Sequence, residues 1–111
     1  VSGSRHWRNQ RISAVALVPL GVWFLYALLS RTDLAHASIV AWLADPWQAG
    51  LMLLFGWCAL WHSAQGIQVV VDDYVPGQLH GRVRLASRLL HGALALILAA
   101  AIGVIAVGVG T

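Results

Sequence analysis

Apolar residues fall into three long runs separated by short polar stretches. The first runs from Ile12 to Leu29, opened by Arg11 and closed by Ser30 and Arg31. The second runs from about Ala49 to Val71 and ends at Asp72 and Asp73. The third runs from about Leu89 to Val109, behind Arg82, Arg84 and Arg88. Each is close to the ~20 residues that a helix needs to cross the hydrocarbon core. Pro19 lies within the first run, where a membrane helix tolerates it as a kink. Between the first two runs, the pattern predicts a short surface-lying helix over about 33–43, capped by Thr32 or Asp33 and stopped at Asp45-Pro46. Trp42 and Trp47 stand where an interfacial aromatic belt is expected. The fold expected is all-α and integral to the membrane, with three transmembrane helices over about 12–29, 49–71 and 89–109.

Composition agrees. Of 111 residues, 59% are apolar and 10% charged, against about a quarter charged in soluble domains. The length fits a single membrane domain, 1–111. All seven positive charges are arginine. A pI near 10.0 would suggest nucleic acid in a soluble protein. Here the arginines flank apolar spans and no basic surface is interleaved with aromatics, so no nucleic acid is expected. With three spans, Arg5, Arg8, Arg11, Arg82, Arg84 and Arg88 share one side and Arg31 is alone on the other. The positive-inside rule then places the N-terminus in the cytoplasm, with the second helix running from outside to inside. Cys58 is the single cysteine, so no internal disulfide is possible. The sequence starts at Val1 without a methionine, which leaves room for a short leader. Nothing ahead of the first span has the pattern of a cleaved signal peptide. In the third span Ser87, His91, Ala95, Ala99 and Gly103 form a stripe four residues apart, read as a helix-packing face.

Chemistry concentrates between Trp61 and Tyr74, WHSAQGIQVVVDDY. His62 precedes Asp73 by eleven residues, a rise of roughly 16 Å, so it lies near mid-membrane. An imidazole at that depth needs a partner. A hydrogen bond to a neighbouring helix would serve, and so would a haem iron taking its neutral nitrogen. Gly66, one turn on, removes a side chain where a flat macrocycle would need to approach. His91 is the rival ligand. It lies three residues beyond Arg88, about 4–5 Å into its helix. That reading makes it much shallower than His62, so it is not expected on the same iron. His80 reads as part of an arginine-bearing loop, and His36 as an interfacial histidine without a cofactor role.

The pattern His-x3-Gly-x6-Asp-Tyr, here His62, Gly66, Asp73 and Tyr74, resembles the hydrophobic membrane anchor of succinate dehydrogenase (respiratory complex II). The stretch His6-Trp7-Arg8-Asn9-Gln10-Arg11-Ile12-Ser13-Ala14 is similar to alphaproteobacterial members of that family. The resemblance implies a chain packed with a second membrane anchor subunit in a helical bundle of the bacterial inner membrane. It implies that His62 is one axial ligand of a haem b shared with that partner, and that Arg11 pairs with a haem propionate. Tyr74 would hydrogen-bond a ubiquinone carbonyl, with Asp73 supporting that site, and His6 and Ser13 would lie in the propionate region. FAD and iron–sulfur clusters would belong only to flavoprotein and iron–sulfur subunits docked on the cytoplasmic face. The sequence has neither a dinucleotide-binding glycine motif nor a cluster-binding cysteine set, so no catalytic activity is expected of the chain alone. The single-haem, two-chain type of anchor favours succinate oxidation over fumarate reduction. Two alternatives differ in class. A haem-free multi-pass packing or transport protein would use His62 as a polar packing residue or in a proton path. A stand-alone diheme cytochrome would need four paired histidines, whereas the spans hold His62 and His91.

Overall fold

A computed structural model describes residues 2–108. It contains four helices: α1 (Ser2–Leu29), α2 (His36–Leu43), α3 (Pro46–Tyr74) and α4 (Gly77–Ala106). The described residues include no strand. The long helices have 28, 29 and 30 residues, or about 42–45 Å each. That exceeds the ~30 Å hydrocarbon core, so their ends reach into the headgroup layer.

Local chemistry explains where the helices begin and end. Asp45 caps α3, its carboxylate accepting from Trp47 N at 3.1 Å, and Pro46 occupies the first helical position, where its missing N–H costs nothing. The chain leaves α3 through extended Val75 and Pro76. It turns at Gly77, whose φ of 65° is cheap only for glycine. Asp72 Oδ1 then ties the two helices together, 2.8 Å from His80 Nε2 and 2.7 Å from Gln68 Nε2. At the other end Arg31 donates to Ser38 O at 3.1 Å and stacks over Trp42, while Trp42 stacks on Trp23. Asp33 Oδ1 accepts from Ala35 N, and Oδ2 from the Ser38 hydroxyl at 2.6 Å. These contacts join α1 to α2.

α3 is the central element, packing against α1, α2 and α4. Along α1, His6, Gln10, Ser13, Leu17, Leu20 and Phe24 follow at steps of three and four, one face of a helix. That face runs antiparallel to α3: Phe24 stacks on Phe55, Ser13 meets His62, and Gln10 lies over Gly66. α4 also runs antiparallel to α3: Leu98 sits against Gly56, Ala95 O accepts from Trp57 Nε1, and His91 meets Ser63. The buried apolar set is small, comprising Leu20, Leu43, Ala49, Val71 and Ile102. Rows of Leu, Ile and Val stay exposed on α1 and α4, a surface suited to lipid or partner helices rather than water.

Three expectations are corrected. α1 begins at Ser2 and α4 at Gly77, so the segments bearing Arg5 and Arg8 and Arg82–Arg88 are helical. Loss of apolarity does not end a helix, and arginine propagates one well. His80 therefore lies on a helix instead of in a loop. α2 starts at His36, with Ala35 at its N-cap and no side-chain cap, because Asp33 spends its oxygens on a turn just ahead. His91 is not shallower than His62. Its Nε2 is 3.2 Å from the hydroxyl of the neighbouring Ser63, since α4 starts twelve residues earlier than expected. α1 and α4 are each long and apolar enough to cross a membrane, and α3 joins them in this together with α2, across a 97° bend, which gives two candidate spans or three. Trp57, Trp61, His62, Ser63 and Gln65 interrupt the apolar run of α3. Val109, the expected end of the third span, lies outside the described residues.

The contact at Gly56 makes the helix pairing testable. A Cβ added there would run into Leu98 Cδ2, an end that can swing aside. Gly56→Ala is therefore expected to be mild, while Gly56→Val lowers thermal stability by about 1–3 kcal/mol and Leu98→Ala relieves it. Acid probes the other end of the bundle. The Ser38 hydroxyl first, then the Ala35 amide, hold the Asp33 carboxyl below its ordinary value. A depressed carboxyl stabilises fully above its unfolded value and loses that contribution as pH falls through the folded one. The protection factor of the Ala35 amide, its exchange rate relative to the free-peptide rate at the same pH, is expected to fall below about pH 4, and Asp33→Asn to flatten this pH dependence.

Candidate functional site

His62 is the seventeenth residue of the 29 in α3, near its middle, and it is half-buried in the seam with α1. Its Nδ1 lies 3.0 Å from Ser13 Oγ. Ser13 also donates to Gln10 O at 3.0 Å and is 0% exposed. His62 Nε2 has no hydrogen-bond partner among the described residues. One turn on, a Cβ at Gly66 would meet only Gln10 Nε2, at 4.0 Å, so this part of the seam is open.

Beside it lies a cavity of about 280 Å³ lined by His6, Trp61, Gln65, Gln68, Ser87 and Arg88. Gln65 is 9% exposed, yet neither of its amide atoms has a partner, and His6 Nε2 and Gln10 Oε1 are likewise buried and unpaired. Unpaired polar atoms of this kind cost about 1–3 kcal/mol each if left dry, so they mark a place for water, a ligand or a partner. Sequence reasoning missed Gln65 and Gln10. A signal was present for Gln65, an uncharged polar side chain in mid-span three residues from the histidine.

The expected site residues divide among three places. His6, Ser13 and His62 belong to the α1–α3 seam. Arg11 lies on the outer flank of α1, its guanidinium 5.1 Å from the Trp7 ring centroid. Asp73 and Tyr74 form the last turn of α3, with Tyr74 79% exposed. They stand roughly 18 Å along the helix from His62. Asp72, not Asp73, is the carboxylate with partners. His91 Nδ1 is held within α4 by Ser87 O at 2.8 Å, and its Nε2 meets Ser63 across the α3–α4 contact, while His62 serves α1. A roomier recess, about 600 Å³, opens at the far end beside Trp23, Arg31, Trp42 and Trp47. It shares no residue with the His62 seam.

Among the described residues no group of three or more His, Cys, Asp or Glu is arranged to hold a metal ion. The atoms present fit a haem iron at Nε2: a histidine nitrogen without a partner, an open position over Gly66, and unpaired polar atoms toward His6 suited to carboxylates.

Comparison with known proteins identifies the family. Residues 2–106 match the family described as succinate dehydrogenase/fumarate reductase transmembrane subunit. The chain is 37% identical over 75 residues to a succinate dehydrogenase hydrophobic membrane anchor subunit of Rickettsia bellii, covering 67% of this chain and 59% of that protein. It is 32% identical over 75 residues to the Rickettsia felis protein of the same description, covering 67% of this chain and 62% of that one. With a succinate dehydrogenase membrane anchor subunit of Reclinomonas americana it shares 26% over 98 residues, 86% of this chain and 79% of the relative. The two Rickettsia matches thus span about three fifths of those relatives' lengths. A match over almost all of the described helices leaves no ambiguity of family: the chain belongs to the succinate dehydrogenase/fumarate reductase transmembrane subunits and is similar to alphaproteobacterial hydrophobic membrane anchor subunits.

Proposed function

We propose that this chain anchors a succinate dehydrogenase in the bacterial inner membrane, holding flavoprotein and iron–sulfur subunits on the cytoplasmic face and packing against a second anchor subunit. Three spans are proposed, α1, α3 with α2 as its bent entry, and α4. The end bearing Arg5, Arg8, Arg82 and Arg84 faces the cytoplasm, following the charge bias. The chain itself oxidises nothing; its residues bind and position.

The observation that carries this reading is His62: a mid-helix imidazole with Nδ1 tied to α1 and Nε2 without a partner, in a chain of this family. We assign His62 as one axial ligand of a haem b, with the second ligand from the partner anchor subunit. Bound there, the haem supplies a one-electron carrier within the membrane. His6, whose Nε2 is buried and unpaired, and Arg11 are the proposed propionate partners. Arg11 would have to leave Trp7 to serve, which makes His6 the better placed. An arginine fork binds a carboxylate in two bonds once it is in reach. Tyr74 is proposed to donate its phenolic hydrogen to a ubiquinone carbonyl, and Asp73 to hold that end of α3 polar and hydrated. The exposure of Tyr74 suits a site completed by other subunits. Electrons from succinate would reach quinone there, at the cytoplasmic end, without crossing the bilayer.

Two experiments test this reading. In membranes expressing the chain with its partner subunits, His62→Ala is expected to abolish the reduced-minus-oxidised b-type signal. A signal that survives in an intact complex removes His62 as ligand. Tyr74→Phe removes one hydrogen bond of about 1 kcal/mol, so quinone affinity is expected to fall about fivefold. Unchanged quinone kinetics and inhibitor affinity would take Tyr74 out of the site.

A further inference from the structure

Ser13 is the one described side chain with no accessible surface at all, and a hydroxyl is an expensive group to bury unless it is used. Its Oγ makes two contacts, with Gln10 O and with His62 Nδ1, each at 3.0 Å. A carbonyl oxygen only accepts, so the contact with Gln10 consumes the single hydrogen of the hydroxyl. The contact with His62 is then made by an oxygen lone pair, and its hydrogen comes from Nδ1. A neutral imidazole carries one N–H and one lone pair, which puts the lone pair on Nε2. The opposite tautomer does worse. Ser13 would have to abandon Gln10 to donate to Nδ1, and Nε2–H would find no acceptor among the described residues. One arrangement makes two hydrogen bonds and the other makes one.

We propose that Ser13 is a positioning residue for the metal-ligating histidine: it fixes His62 as the Nδ1–H tautomer and aims the Nε2 lone pair at the iron. This rests on the reading of His62 as an axial ligand. The role replaces the place in the propionate region that the resemblance implied, because a fully buried hydroxyl with its hydrogen committed has nothing to offer a carboxylate. Ser13 touches neither iron nor quinone and acts only through His62. Hydrogen-bond acceptors behind a ligating histidine fix its ring orientation and raise its basicity. A more basic imidazole favours ferric over ferrous iron and so lowers the reduction potential of the haem. Serine is a neutral acceptor, so the effect is smaller than a carboxylate would give. It also lets α1, rather than α3 alone, set the orientation of the ring.

The test is a redox titration and a low-spin haem electron paramagnetic resonance spectrum of the whole complex, for wild type, Ser13→Ala, Ser13→Thr and His62→Ala. Ser13→Ala is expected to keep a b-type spectrum while its midpoint potential rises and its low-spin signal shifts. It should also lose haem to an apoprotein scavenger about 10–100-fold more readily. Ser13→Thr, which keeps the hydroxyl, is expected to restore both. A wild-type potential, signal and haem retention in Ser13→Ala, with His62→Ala free of haem, would overturn the role of Ser13 and leave the ligand intact. Haem retained in His62→Ala would overturn both. If Ser13→Ala prevents assembly, Ser13→Cys, of similar shape but a weak acceptor, decides: a raised potential supports the role and an unchanged one refutes it.

Discussion

Polar side chains at mid-span must find their partners inside the bundle, and the structure depends on how α3 meets that demand. Between helices in lipid there is little hydrophobic drive, because acyl chains are as apolar as leucine. Apolar faces alone would let α1 and α4 slide along α3. Register comes instead from His62 on Ser13, Trp57 on Ala95 O and Ser63 on His91, with Asp72 and His80 closing the reversal. These are single contacts of about 1 kcal/mol or less in membrane proteins. They are directional, however, and each is satisfied at only one offset.

Most of the fold could be read from the sequence because two rules leave so few choices. Backbone groups in hydrocarbon must be paired within their own segment, so long apolar runs had to be helices. The polar interruptions then read as the ends of the spans. They did not mark the ends of the helices, and for that reason α1 and α4 both start far ahead of their apolar runs. The same error made His91 look shallow: its depth was counted from Arg88, whereas Arg88 is already three turns into α4. Helical phase was legible in Ser13 and His62, whose neighbours repeat at three and four. It was not applied to Arg11, which falls on the far side of α1 from Ser13. Gln65 and Gln10 escaped because a glutamine in a seam announces itself only once the facing helix is known.

The division between the His62 seam and Tyr74 has a physical logic. A haem ligand needs low dielectric and a fixed ring, which mid-helix packing supplies. A quinone headgroup that takes up protons on reduction needs access to water, which an exposed last turn supplies. One helix joins both proposed sites by a rise of roughly 18 Å, so a displacement of α3 would move His62 and Tyr74 together.

The unpaired atoms of His6, Gln10 and Gln65 complete that argument. A helix pair selected for stability alone would pack leucine there, since a dry unpaired amide costs more than an apolar side chain gains. Their presence on the arginine-rich side of His62, in a seam that Gly66 keeps open, means that local packing yields to something arriving from outside the chain. Departures from the best local choice concentrate at functional sites. Within the α1–α3 seam they lie within about two turns of the histidine, whereas the far half of that seam, from Leu20 to the stacked Phe24 and Phe55, is packed with apolar side chains; the other buried unpaired atoms, Arg31 Nε and Gln48 Oε1, lie beyond it beside the far recess. His62 thus stands between the apolar half of the α1–α3 seam, at Leu20, Phe24 and Phe55, and the half that holds these unpaired atoms.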